Sequence, residues 1–406
     1  MWLYLAGAGG LWHLCHMGLM NDLYLSRKPL AAFAVIGLSW ACYFAQMPVI
    51  KATLGVSDAA YGMIVLVSAL GAVAAMVLAP MAARFAGPYA LMVGSLGVCF
   101  GFLWTGSALS PVTFMIAMGL AAAGSGILDV LANARISGIE AKHQRPLMNL
   151  NHAFYSFCYA GGALLTGAAR EAGWSPFEVF SALAIAIILL CLVMYGPDTN
   201  NIEDEEKGAP RNLPTGLIWI AGLVVCMAFL AEAATEGWSA LHIERSLGGG
   251  AGEGALGPAV LGLMMGIGRL SGYAASKYIS DLLLMGLACM VSAIGIAIAA
   301  AAPSIAIAYV GFALGGLGIS VVGPLALAAL GRSVPGKLRV TAISRATVIG
   351  YCAFFVGPSL MGFVSEGFGL AMSFYTIAAL LAVVAVILIP TFAAKLRGQS
   401  LASKSD

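Results

Sequence analysis

Twelve stretches of this chain stay apolar for long enough to cross a hydrocarbon layer, and this leaves few ways to fold it. They lie near residues 30–50, 60–82, 87–108, 112–136, 147–168, 176–196, 215–236, 257–278, 282–301, 304–328, 341–364 and 370–393. At 1.5 Å of rise per helical residue, about 20 residues span the ~30 Å core of a bilayer. A backbone surrounded by lipid must satisfy its own hydrogen bonds, so such stretches read as helices. Charged residues make up 9% of the chain and hydrophobic ones 61%, whereas soluble domains carry about 25% charged residues. The expected fold class is an all-α membrane protein with twelve transmembrane helices.

The segments between these stretches are short except at 197–213. That run, within PDTNNIEDEEKGAPRNLP, is polar and acidic and reads as a solvated linker that divides the spans six and six. Residues 27–196 then form one six-helix half and 214–395 the other, with 396–406 as a tail. Residues 1–26 are apolar and Gly-rich and lack the basic start of a signal peptide. They read either as an extra amphipathic segment or as an over-extended gene start ahead of Arg27 and Lys28. The second reading is preferred, and no function is assigned to them.

Basic residues orient the bundle, because cytoplasmic loops retain them. With both termini cytoplasmic, just 3 of the 20 Lys and Arg fall at the outer face: Lys51, Arg170 and Arg245. The expected location is a bacterial inner membrane. A net charge of +2, spread through short loops, gives no reason to expect nucleic acid as a partner. The eight cysteines form no CxxC pair and no ligand spacing with histidine, so neither a disulfide framework nor a metal site is expected. Phosphate-loop, HExxH and GxSxG patterns are absent from the sequence, and with them the simplest signs of a nucleotide-driven pump or a hydrolase. The chain is expected to be neither an enzyme nor a cofactor-binding protein.

The two halves carry traces of a repeat. KATLG at 51–55 matches ERSLG at 244–248, and Gly62 and Gly71 match Gly257 and Gly266. GSGI at 124–127 matches GLGI at 316–319, while Tyr155, Gly161 and Leu164 match Tyr351, Gly357 and Leu360. The matches run in order at nearly one spacing, which points to two pseudo-symmetric halves related in parallel.

Against this frame the intramembrane acids stand out. Asp129 follows a long uncharged run, and Asn133 lies one turn later on the same face. A charge at such depth costs roughly 2.5–3.5 kcal/mol, so it usually faces a partner or a water-filled path. A purely structural helix clamp is the competing reading. By the repeat, Asp129 and Asn133 correspond to Val321 and Leu325, and Glu232 and Glu236 to Ser39 and Tyr43. Each acidic pair occurs in one half alone, as expected of a site added to a symmetric scaffold. Glu232 and Glu236 stand one turn apart and could share a proton, or simply be hydrated at an outer mouth. His152 reads as a packing residue or a proton relay. Trp40 and Gln46 are candidates for a cavity wall, and Trp238 for stacking on a substrate ring.

These residues resemble a known family. Twelve spans with an acidic central linker resemble the major facilitator superfamily over residues 27–395. LDVLAN at 128–133 is similar to the LE-x-x-x-N element of the fucose permease branch. RPLMNLNHAFYSF (145–157), EGWSAL (236–241), GRLSG (268–272) and GPSLMGFVSE (357–366) resemble a poorly characterised bacterial subgroup near it. The resemblance implies the major facilitator fold and a secondary transporter, functional as a monomer, that carries a small polar solute such as a sugar with protons. It places the proton-linked acid at Asp129, and a central site between the first and fourth helices of each half. It also implies that the fourth and eleventh helices meet at the cytoplasmic face. Asp129 and Arg345 enter those helices to a similar depth from that side, so they would pair there as a gate, with snorkelling to the interface as the competing reading of Arg345. Two departures matter. PMAARFAG at 80–87 retains Arg84 alone of the family's charged loop, and Phe44 stands where fucose permease has a first-span acid. An exporter of amphipathic compounds and a receptor without flux are the alternatives.

Overall fold

The computed structural model describes residues 20–143, 145, 147–196, 213–276, 278–334 and 336–402. Most of the linker read at 197–213 and most of the N-terminal extension lie outside the described residues. Among the described residues, twelve long helices form the bundle. Those of the first half are α1 (Arg27–Leu54), α2 (Asp58–Ala86), α3 (Ala90–Gly106), α4 (Pro111–His143), α5 (Met148–Glu171) and α6 (Pro176–Met194). The second half contains α7 (Thr215–Leu241), α8 (Ala251–Ala275), α9 (Asp281–Ala301) and α10 (Ile305–Ser333). It ends with α11, in two pieces (Gly336–Tyr351 and Ala353–Phe368), and α12 (Leu370–Val383, continued by Ile389–Ala402).

By length and composition, eleven segments of these helices are apolar enough to cross a membrane. The helix outside that set is α5, and its sequence gives the reason. Asn149, Asn151, His152 and Ser156 load its first three turns with polar groups. A helix this polar needs a protein-lined or wet face, and α5 has one at the junction of the halves.

The repeat read from sequence recurs in the packing. Within the first half α1 packs on α5, α2 on α4, α3 on α4 and α3 on α6. The same pairings, shifted by six helices, join α7 to α11, α8 to α10, α9 to α10 and α9 to α12. Between the halves, α5 packs on α8, α2 on the second piece of α11, and α1 on α7 and α8.

An even number of crossings puts both chain ends at one end of the bundle, here called basal; the α1–α2 turn marks the distal end. The α2–α11 contact is confined to the distal end. A Cβ on Gly62 would lie 2.5 Å from the Pro358 carbonyl oxygen, and one on Gly362 would lie 2.4 Å from that of Asp58. Glycine is what lets these backbones touch. The basal piece of α11, Gly336–Tyr351, packs on α7 and α10 of its own half. Among the described residues it makes no comparable packing with α2 or α4, so the halves are closed distally and parted basally.

The break in α11 has a local cause. Around Cys352 the bonds shorten to the i+3 type, from Cys352 N–H to the Ile349 carbonyl and from Phe355 N–H to the Cys352 carbonyl. Pro358 then removes the amide that would have bonded to Phe354. Tyr351 thus sits at the joint between a piece that crosses to the other half and one that does not.

Candidate functional site

A belt of polar side chains runs across the middle of the bundle. In α4, the Asn133 amide donates to the Asp129 carbonyl at 2.9 Å and to Asp129 Oδ1 at 3.1 Å. The helical spacing noted in the sequence is what closes this contact, since i and i+4 share a face. Asn133 Oδ1 lies 3.2 Å from Nε2 of His152 in α5. With the amide nitrogen committed to Asp129, Asn133 presents an acceptor here, so Nε2 of His152 carries the hydrogen. One turn along α5, Ser156 donates to the His152 carbonyl at 3.2 Å and accepts from Arg269 of α8. Arg269 also meets Glu232 of α7, Nη2 to Oε1, at 3.3 Å. From the far side, the Tyr351 hydroxyl of α11 donates to Asp129 Oδ2 at 3.2 Å.

Two carboxylates, Asp129 and Glu232, and the Arg269 guanidinium thus stand on one belt. The belt crosses between the halves twice, at Ser156–Arg269 and at Asp129–Tyr351. Glu236, one turn distal to Glu232, is 6% exposed rather than hydrated at a mouth. Aromatic rings line the neighbourhood. The Trp40 indole N–H donates to Ser125 at 3.0 Å, its ring stacks on Phe44 with centroids 5.5 Å apart, and Phe44 leads on to Tyr159 and Tyr155.

Other residues singled out in the sequence sit elsewhere. Gln46 is fully buried, and its amide finds no partner among the described residues. Trp238 is 3% exposed and packs edge-on against Tyr61 of the other half, so its ring is spent on packing rather than offered for stacking. Arg345 is exposed on the basal piece of α11, and Asp129 takes the Tyr351 hydroxyl rather than Arg345 as its partner in this arrangement. Sequence reasoning passed over Arg269, Tyr351 and Ser156 as site residues. Arg269 was the most detectable, being a cation inside an apolar span, the criterion that exposed Asp129.

A second polar cluster closes the distal end. Arg245, just beyond α7, makes a forked pair with Asp58 at the start of α2, at 2.9 and 2.7 Å, and reaches Ser365 of α11 at 2.9 Å. Lys51 meets the same carboxylate at 2.8 Å. Arg170 of α5 forks onto Glu244 at 2.7 and 3.0 Å and also donates to the Ala45 carbonyl. Glu366 accepts from the Ala59 N–H at 2.8 Å. The three basic residues assigned to the outer face from sequence are all in this cluster.

Two six-helix halves with a polar belt running between them define an integral multi-pass membrane protein. The chain belongs to the Major Facilitator Superfamily, whose family model matches residues 30–314. An uncharacterized MFS-type transporter of Yersinia pestis is 29% identical over 363 residues, covering 87% of this chain and 92% of that one. Membrane protein MosC of Rhizobium meliloti is 26% identical over 354 residues, covering 87% and 86%. Among solved structures, a D-xylose–proton symporter superposes with a TM-score of 0.72 at 15% identity over 91% of this chain and 97% of its own. The nucleoside transporter NupG, in a mutant form, gives 0.68 at 13% identity over 91% and 99%. At these identities the structural likeness shows the fold alone, which is the twelve-helix architecture expected from the sequence. The finer likeness to the fucose permease branch is not carried by these relatives.

Proposed function

We infer that this chain is a proton-coupled secondary transporter of a small polar solute such as a sugar or related metabolite, working as a monomer in a bacterial inner membrane with both termini cytoplasmic. The observation that carries this reading is the belt itself: ionisable groups from α4, α7 and α8 meet across the two halves at mid-depth. A scaffold has no need of two acids and one arginine there, since such groups are costly in hydrocarbon and serve chiefly on ion or solute paths. The superposition on a D-xylose–proton symporter is in keeping with it. The polarity of the belt favours a polar solute over the amphipathic cargo of an exporter.

In this reading Asp129 carries the coupled proton. Burial favours the protonated carboxyl and a nearby cation the ionised one, so a carboxyl at the seam of two moving halves exchanges its proton as its surroundings change. Tyr351 holds Asp129 while the basal end is open. Basal closure would bring the first piece of α11 towards α4 and offer Arg345 as the ionised carboxylate's partner. His152 and Asn133 keep the carboxylate oriented, and Glu232 with Arg269 contributes the second half's share of the solute site.

The test is uptake into proteoliposomes with and without an imposed pH gradient. The reading expects solute accumulation driven by the gradient and abolished by a protonophore. Binding without flux would instead favour a receptor.

A further inference from the structure

One turn distal to the belt lie two polar atoms whose hydrogen-bonding capacity is unmet. Glu236 of α7 is 6% exposed, and its Oε1 has no partner among the described residues. Tyr159 of α5 is fully buried, and its hydroxyl has none either. They come from opposite halves, on stretches of α5 and α7 that both meet Phe44 of α1. Tyr159 reaches across because α8 presents Gly262 beneath it. A Cβ at that position would stand 2.5 Å from a ring carbon of the tyrosine. Phe44 closes the locus from α1, its ring centroid 6.4 Å from that of Tyr159 and its edge over Gly237 of α7.

Buried polar groups are nearly always paired, because leaving one unpaired forfeits its hydration for nothing. Two such groups on facing helices about one aromatic ring, at the seam of two halves, mark a place where a partner arrives. The chemistry of the pair selects that partner. A carboxylate oxygen accepts, and a phenol hydroxyl donates. A polyhydroxylated solute does both tasks, donating a hydrogen to Glu236 and accepting one from Tyr159. An ammonium group has no lone pair to accept the tyrosine's proton, and a carboxylate or phosphate has no proton for the unmet glutamate oxygen. The flanking faces of Phe44 and Trp40 suit the apolar C–H side of a ring.

We propose that Glu236 and Tyr159 form a hydroxyl-recognition subsite, and that the transported solute is a neutral, ring-shaped polyol. This rests on the transport reading and adds to it the ligand class and a residue from each half. Solute bound here tethers α5 to α7, distal to the belt and beneath the distal ion pairs.

Thermal unfolding of the purified, detergent-solubilised protein tests the subsite. The probes are D-xylose, D-glucose and myo-inositol as neutral polyols, tetraethylammonium and spermidine as cations, and D-gluconate as an anion. The variants are Tyr159→Phe and Glu236→Gln. At least one polyol should raise the melting temperature of the wild type, and each variant should need about tenfold or more of that polyol for the same rise. Without any probe, Tyr159→Phe should melt at or above the wild type, because it deletes a hydroxyl that has no partner. A lower melting point would give the hydroxyl a structural partner and overturn the proposal. Stabilisation by cations or anions alone, no response to any polyol, or polyol binding indifferent to both variants would overturn it as well. Proton-driven polyol uptake that survives both substitutions would reject the subsite and keep the transport reading. Polyol binding lost in both variants, with no proton-coupled flux in the wild type, would do the reverse.

Discussion

The distal cluster and the central belt use the same kinds of side chain and bind them differently. At the distal end the arginines engage carboxylates through both nitrogens, at 2.7–3.0 Å, and Asp58 serves Lys51, Arg245 and Ser365 together. In the belt the Arg269–Glu232 contact is single and 3.3 Å long, and Asp129 is held by amide and phenol groups at 3.1 and 3.2 Å. Forked, short pairs are strong and geometrically specific. Long single contacts are easily exchanged for others. One region ties the halves together through short, forked pairs and the other through single, longer contacts, the difference that the proposed transport cycle would need between a closed end and a binding site.

The largest effect should come from the belt's cation. Arg269→Ala strands buried carboxylates, a loss of about 3–5 kcal/mol for a broken buried pair, and should lower initial uptake by at least about a hundredfold. Arg269→Lys keeps the charge without the planar fork and should recover only part of that. Uptake near wild-type levels in Arg269→Ala would remove the belt from the mechanism.

The distal pairs come next. Glu244→Ala should shift the balance away from the distally closed state by about tenfold, since ~1.4 kcal/mol suffices for that. Distances between nitroxides on cysteines introduced at Thr53 and Gly367 would report it as a longer component. Exchanging the charges, Arg170→Glu with Glu244→Arg, should restore the short distance. If the swap fails while each single variant opens the distal end, the fork is not what closes it.

Smaller effects are expected at α11. Tyr351→Phe removes one hydrogen bond, worth about 0.5–1.5 kcal/mol, and should change exchange rates several-fold. Arg345→Ala should act least, by less than about fivefold on the conformational balance, because exposed ion pairs are worth ~0–1 kcal/mol. An Arg345 effect exceeding that of Tyr351 would assign the Asp129 gate to the basal end rather than to the joint at Cys352.

The sequence was most informative where physical cost is highest. The twelve crossings were legible because lipid demands about 20 apolar residues for each. Asp129 and Asn133 were legible because a charge stood out against that background. Helical spacing put the two on one face, and the structure has them hydrogen-bonded to each other. Which groups meet across the seam was not legible: Tyr351, Ser156 and Arg269 are brought there by the way α5, α8 and α11 pack, a long-range outcome with no local signature. Trp238 shows the converse, a residue type fitted to stacking whose ring is used against Tyr61. Lys51, Arg170 and Arg245 were placed at one face by charge counting, but counting could not foresee that Asp58 and Glu244 would bind them.

The proton-carrying role of Asp129 is tested most directly by separating accumulation from exchange in a single variant. Proteoliposomes loaded with a pH-sensitive dye should acidify inside when a transported polyol is added outside to the wild type. Asp129→Asn should still exchange polyol across the membrane but should neither acidify the lumen nor accumulate polyol under a pH gradient. If Asp129→Asn accumulates polyol with the pH dependence of the wild type, the carboxylate does not carry the coupled proton.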